Sequence, residues 1–189
     1  MTTSTISTTT TLTDYVISDT HWYHNALIRT CGRPDNHTQL SIENWRKVVP
    51  PCATIYHLGD VILYKLPDLP DILRSLPGRK ILVLGNHDCK TKTWYRRAGF
   101  EEVHDCLTVG DLLLTHRPSR YLPPGCVLNL HGHVHTRDNY TRYPHSVPVV
   151  LEHLNYTPAR IADLIAPYAS TNYASHDLIA PYASASVSA

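Results

Sequence analysis

The sequence predicts an α/β domain, and three observations carry that reading. Short runs rich in Val, Ile and Leu alternate along the chain with segments whose apolar residues recur at helical spacing. A short polar motif of Asp, Asn or His stands at or just after each of several strand-like runs, where open α/β sheets bind their ligands. With 189 residues, 42% of them hydrophobic, the chain is long enough to form one domain around a sizeable core.

The elements follow in order. Residues 1–13 are nearly all Thr and Ser; such a leader cannot bury apolar surface and is expected to be disordered. Tyr15 to Ser18 reads as a short strand, and Asn25 to Thr30 as a helical turn ended by Gly32-Arg33-Pro34. Ser41 to Val49 predicts a helix, with Ser41 as N-cap, Ile42, Trp45, Val48 and Val49 on one face, and Pro50-Pro51 as the stop. Thr54 to Leu58 and Lys80 to Leu84 are apolar strands. Pro67 to Leu76 has Leu69, Ile72, Leu73 and Leu76 at helical spacing, and Thr91 to Ala98 is a helix closed by Gly99. Strands recur at Leu112–Thr115, Val127–Leu130 and Ser146–Glu152, before a helix from Pro158 to Ala166. Residues 14–168 thus form the domain. Residues 169–189 are a tail in which Asp163–Ser170 recurs unchanged as Asp177–Ser184, two copies being too few for a solenoid. Leu164 and Ile165 of the first copy are expected to dock into the core. The second copy, after a polar Ser/Thr/Asn linker, reads as a disordered duplication; the alternative, its exchange between chains, is a route to a homo-oligomer.

Composition narrows the function classes. A formal net charge of +1 offers no broad basic surface for long nucleic acid. Neither a secretory signal nor a spanning apolar stretch is present, so no membrane is expected as a partner. Five cysteines, odd in number and without C-x-x-C spacing, read as free thiols in a reducing compartment, which places the protein in the cytoplasm.

The polar motifs are Asp19-Thr20-His21, Gly59-Asp60, Gly85-Asn86-His87-Asp88, His116 and Gly132-His133-Val134-His135. Carboxylate, imidazole and amide oxygen suit manganese, iron or zinc, and no cysteine joins the set. Two ions a few ångströms apart need a shared ligand, and Asp60, following an apolar run and a glycine, is the natural one. In order and spacing these motifs resemble the calcineurin-like metallophosphoesterases, over roughly residues 14–153. The resemblance implies a four-layer α-β-β-α sandwich with two mixed sheets, residues 14–168 being the catalytic domain. It implies two divalent transition ions, manganese foremost and iron, zinc or nickel as alternatives. Asp19, His21 and His135 would hold one, Asn86, His116 and His133 the other, with Asp60 shared. It further implies attack on phosphorus by a hydroxide formed between the ions, with His87 as general acid and Asp88 orienting it.

Substrate contacts are expected from Asn86, from His24 if the chain turns back there, and from the guanidinium forks of Arg117 and Arg33. Trp22, Tyr23, Tyr140 and Tyr143 flank the motifs and are candidates for stacking on a base. The Gly-Asp motif continues Val61-Ile62-Leu63 rather than into the Asp-Arg-Gly of phosphoprotein phosphatases, and no appended nucleic-acid domain is expected. The expected activity is hydrolysis of a phosphodiester, a small nucleotide or cyclic nucleotide. The alternatives are a phosphomonoesterase acting on a phosphorylated metabolite and a non-catalytic metal-binding module.

Overall fold

The computed structural model describes residues 4–6, 13–63, 68–135 and 143–169. They form an α/β structure with two five-stranded mixed sheets. In one sheet β2 (Tyr15–Ile17), β3 (Thr54–His57), β4 (Arg79–Val83) and β5 (Glu102–His104) run parallel, and β10 (Ala159–Arg160) pairs antiparallel with β2. The other has the order β1 (Ser4–Ile6), β6 (Leu107–Val109), β7 (Leu112–Thr115), β8 (Leu128–His131), β9 (Ser146–Pro148). Here β6 and β7 are antiparallel, while β7, β8 and β9 are parallel. A single parallel bridge, Ser18 to Val150, ties the two sheets at one rim.

Alternation along the strands builds two cores. Tyr15, Ile17, Ile55 and Leu82 face a layer made by α2 (His37–Val48), α3 (Leu69–Ser75) and α4 (Lys92–Ala98), where Trp45, Leu69, Leu73 and Tyr95 are buried. Their neighbours Val16, Tyr56, Ile81 and Val83 point the other way and meet Leu107, Leu112, Leu114, Leu128 and Leu130 of the second sheet. Leu164 and Ile165 of α5 (Ile161–Ala169) pack against this inter-sheet core, as expected for the first repeat copy. Among the described residues no helix is long and apolar enough to cross a membrane.

Several boundaries differ from the sequence expectation. Ser4–Ile6, within the leader expected to be disordered, pairs parallel with Leu107–Val109: its Thr and Ile suit an open sheet edge. Helix α2 starts four residues before Ser41, which is therefore no N-cap. The Ser41 hydroxyl donates to Thr38 O (2.9 Å) and accepts from Trp22 Nε1 (3.0 Å), a mid-helix role that seats the loop carrying Asp19 and His21. Pro158 does not open the last helix, because Ala159 and Arg160 first add a strand beside β2. The second repeat copy and Tyr140 lie outside the described residues.

Candidate metal centre

The motifs gather at one rim because every one leaves the C-terminal end of a parallel strand: β2, β3 and β4 in one sheet, β7 and β8 in the other. Beyond β2 and β3 the strand pairing continues into the loops, as Asp19 N donates to Gly59 O (2.9 Å), His21 N to Asp60 O (3.0 Å) and Trp22 N to Val61 O (3.1 Å). The backbone is strained where the ligand candidates sit. Asp19 (φ 56°), His21 (41°), Asp60 (56°) and His133 (71°) all occupy the left-handed region without being glycine. True glycines stand where the chains touch. A Cβ on Gly85 would meet the Asp60 carboxylate, and one on Gly132 would meet Ser18 Oγ and the Asp19 carboxylate.

Two triads result: Asp19, His21 and His135, and Asp60, His116 and His133, each with its donor atoms within 4.8 Å of one another. Both carboxylates are buried and are held the same way. Asp19 Oδ2 accepts the Ser18 hydroxyl and His133 N–H (2.9 Å), while Oδ1 is buried with no hydrogen-bond partner. Asp60 Oδ1 accepts His87 N–H (2.8 Å), while Oδ2 stands 3.5 Å from His21 Nε2 and 3.3 Å from His116 Nε2. A single oxygen of Asp60 thus faces both triads, rather than one oxygen serving each.

The histidine tautomers are fixed from behind. His116 Nδ1–H donates to Leu58 O (2.8 Å), and His135 Nδ1–H to Glu152 Oε1 (2.8 Å). Their Nε2 lone pairs are thereby turned inward, toward Asn86 Oδ1 (3.0 Å) and Asp19 Oδ1 (3.6 Å) respectively. Lone pairs converging from carboxylate, amide and imidazole call for cations, and this nitrogen and oxygen set fits borderline transition metals. The electrostatics divide the four rings. Burial brings His21 down to about 3 and His133 to about 4, so both stay neutral, as ligands must. At His116 and His135 burial also pulls down, but Asp60 and Glu152 respectively outweigh it and raise both, so a cation there displaces a proton. Burial pushes Asp19 up to about 6, against the pull of His116 and His135. At Asp60 burial pushes up too, but His116, the His87 N–H and His21 together bring it down to about 2.

His87 belongs to neither triad. Its side chain is 43% exposed at the mouth of the site, with Nε2 4.0 Å from Asp60 Oδ2 and its ring edge-on to His21 at 5.4 Å. His24 flanks the same mouth, 5.6 Å from His21 between ring centres. Arg117 is exposed and donates to Asn86 Oδ1 (3.3 Å), at the start of a groove of about 420 Å³ lined by Leu84, Asp105, Thr115, Pro118 and Ser119.

Two expected roles are corrected. Asp88 does not orient His87: its Oδ2 accepts from Asp60 N (2.7 Å) and Gly85 N (2.8 Å), and its Oδ1 from Val61 N (3.1 Å) and Tyr95 Oη (3.3 Å). It is a buried tie between the loops after β3 and β4. Arg33 does not reach a substrate. It is buried, its NH1 and NH2 donate to Thr20 O (2.9 Å) and Asp19 O (2.7 Å), and its Nε to Glu152 Oε1 (2.9 Å). Trp22 is likewise buried against Trp45, leaving Tyr23 as the exposed ring in that loop.

Sequence reasoning missed Glu152, whose one signal is a lone acid at the end of the apolar run Val147–Leu151. Burial would raise its pKa, but His135 and Arg33 bring it down to about 2. His57 was missed as well. Its Nδ1 accepts Gly59 N–H (3.2 Å), and its Nε2–H faces Thr20 Oγ1 (2.9 Å), whose own proton goes to Val61 O (3.0 Å).

No family model matches the chain. The crystal structure of AQ665, a protein of unknown function from Aquifex aeolicus, is similar with a TM-score of 0.67 at 27% identity, covering 82% of this chain and 98% of that one. The uncharacterized protein MJ1445 of Methanocaldococcus jannaschii is 32% identical over 164 residues, 80% of this chain and 88% of that protein. On sequence shared to that extent, the chain belongs to the family of MJ1445.

Proposed function

We propose that the protein is a metal-dependent phosphoesterase of the calcineurin-like type, with the four-layer sandwich of that class, and that it hydrolyses a phosphodiester such as a small or cyclic nucleotide. The observation that carries this reading is the pair of buried carboxylates, each with one oxygen secured by hydrogen bonds and the other aimed at inward-turned imidazole nitrogens. Asp19, His21 and His135 would hold one divalent ion, Asn86, His116 and His133 a second, and Asp60 Oδ2 would touch both. When bound, such a pair supplies Lewis acidity toward a phosphoryl group and acidifies water.

The protein's own groups do the rest. His87, exposed at the mouth and free of both triads, is placed to protonate the leaving oxygen as its bond to phosphorus breaks. Arg117 and Asn86 line the groove and would meet the substrate from that side, while Glu152 and the Leu58 carbonyl keep His135 and His116 in the ligating tautomer. The groove beyond Asn86 gives room for the second ester arm, which favours a diester over a monoester. Manganese is the expected ion, and the cytoplasm the expected compartment.

Elemental analysis after manganese reconstitution, with parallel assays on mono- and diesters sharing one leaving group, tests the reading. About two ions per chain and faster diester cleavage are expected, with Asp60→Asn losing most of both ions. A full complement of metal in Asp60→Asn refutes the shared-ligand role. Metal without cleavage of either ester supports a non-catalytic metal-binding module instead.

A further inference from the structure

Cys31 lies outside the two triads, yet its sulfur, a nitrogen of His135 and a carboxylate oxygen of Glu152 stand within 4.8 Å of one another. The cysteine is half-buried at the C-terminal cap of α1 (Ala26–Thr30), with the Thr30 hydroxyl 3.7 Å from its sulfur. Glu152 brings a spare oxygen to this trio. Its Oε1 is shared between Arg33 Nε and His135 Nδ1, while Oε2 is buried with no hydrogen-bond partner. A carboxylate that keeps one buried oxygen unpaired, grouped with a thiol and an imidazole, is a cation site in the making.

We propose that Cys31, His135 and Glu152 form a separate site for a thiophilic divalent cation such as zinc or cadmium, and that filling it excludes an ion from the Asp19–His21–His135 triad. Thiolate, imidazole and carboxylate are all zinc ligands, and three of them leave a fourth tetrahedral position for water. The exclusion follows from His135. Its Nδ1 faces Glu152 and its Nε2 faces Asp19. A neutral imidazole has one proton and one lone pair. With the proton on Nδ1, held by Glu152, the Nε2 lone pair serves the triad. With a cation on Nδ1, the ring proton exchanges through water to Nε2, which then offers a hydrogen where the triad needs a lone pair. The Cys31 thiol proton leaves to solvent as the sulfur binds. Arg33 remains pinned to Oε1 and to the carbonyls of Asp19 and Thr20, so its charge opposes every cation there. The site is therefore restricted to soft ions whose bond to sulfur is strong, and manganese, which prefers oxygen, stays out.

The second half of this proposal rests on the dinuclear reading given above; the first half does not. Manganese-loaded protein is titrated with cadmium, following thiolate-to-cadmium charge-transfer absorption and manganese electron paramagnetic resonance together. The absorption is expected to saturate at about one cadmium per chain. In step with it, the signal of a coupled manganese pair should give way to that of a single ion. In Cys31→Ser neither change should occur at that ratio. Unchanged absorption in the variant puts the cadmium on another cysteine and overturns the site. Saturation with the pair intact, or loss of the pair in Cys31→Ser as well, overturns the exclusion. Absence of any coupled pair before cadmium is added refutes the dinuclear reading and the exclusion with it, while the absorption and its loss in Cys31→Ser still decide the Cys31 site.

Discussion

Replacing Asp88 with Asn separates a tie between loops from an orienting partner for the general acid. The carboxylate takes three backbone N–H groups and the Tyr95 hydroxyl. An asparagine keeps one oxygen, and its NH2 must face one of two pairs of donors. Facing Val61 N–H and Tyr95 is the cheaper choice, because the tyrosine hydroxyl can turn to accept. The Val61 N–H is then buried without an acceptor, at about 1–3 kcal/mol, and the bonds from Asp60 and Gly85 lose their charge assistance, about 1 kcal/mol each. Burial already raises the pKa of Asp88, so removing the charge offsets part of this. The net cost is about 2–4 kcal/mol, which for a chain of this size lowers Tm by roughly 10 °C. Because the bond from Asp60 N–H is one of those weakened, metal retention should weaken as well. Calorimetry of the metal-free protein measures the first effect. Rates on an alkyl and a nitrophenyl diester measure whether acid catalysis is touched, and both should fall by the same factor. An unchanged Tm, with loss confined to the alkyl substrate, would show that Asp88 acts through His87 and that the loop-tie argument is wrong.

Other outcomes follow from the same geometry. His87→Ala should keep both metals and the fold, yet lose about 10²–10⁴-fold on a diester with a poor alkoxide leaving group and far less on a nitrophenyl diester; equal losses would make His87 a ligand or phosphate clamp. Arg33→Ala leaves Glu152 and two loop carbonyls without their buried donor, and should cost about 3–5 kcal/mol in chemical denaturation, with Arg33→Lys recovering little because one ammonium cannot span the three acceptors. Arg117→Ala, at the exposed groove, should instead leave the denaturation midpoint unchanged and raise KM. Burial holds His57 at about 3, and a proton on Nδ1 would confront the Gly59 N–H. Its folded pKa lies below the unfolded 6.5, so its contribution is complete above pH 6.5 and is lost as pH falls toward 3, by up to about 1.4 kcal/mol per unit. The stability of metal-free wild type should therefore fall more steeply than that of His57→Gln between pH 6.5 and 5, and parallel curves would place the acid sensitivity elsewhere.

The convergence of the candidate ligand residues was legible in the sequence because each follows an apolar run that reads as a strand, and a parallel sheet brings such ends together. What holds those residues was not legible, for a physical reason. Asp88 and Arg33 act largely on backbone amides and carbonyls of other loops, and His57 on the Gly59 amide and the Thr20 hydroxyl; a main-chain partner leaves no residue-type signature at its own position. Arg33 and Glu152 are 119 residues apart, and Arg33 looked like a phosphate fork because nothing local shows that all three of its guanidinium nitrogens already donate within the protein. The strands β5, β6 and β10 are two or three residues long, too short for a period of two to declare itself. The left-handed backbone at Asp19, His21, Asp60 and His133 was hidden for the opposite reason. Glycine would have announced those turns, but a glycine carries no ligand. The chain places a donor side chain where the backbone prefers none, and the loop ties of Asp88, Arg33 and His57 stabilise the strained conformation. A variant that frees those turns, with every ligand still present, should accordingly lose metal before it loses the sheets.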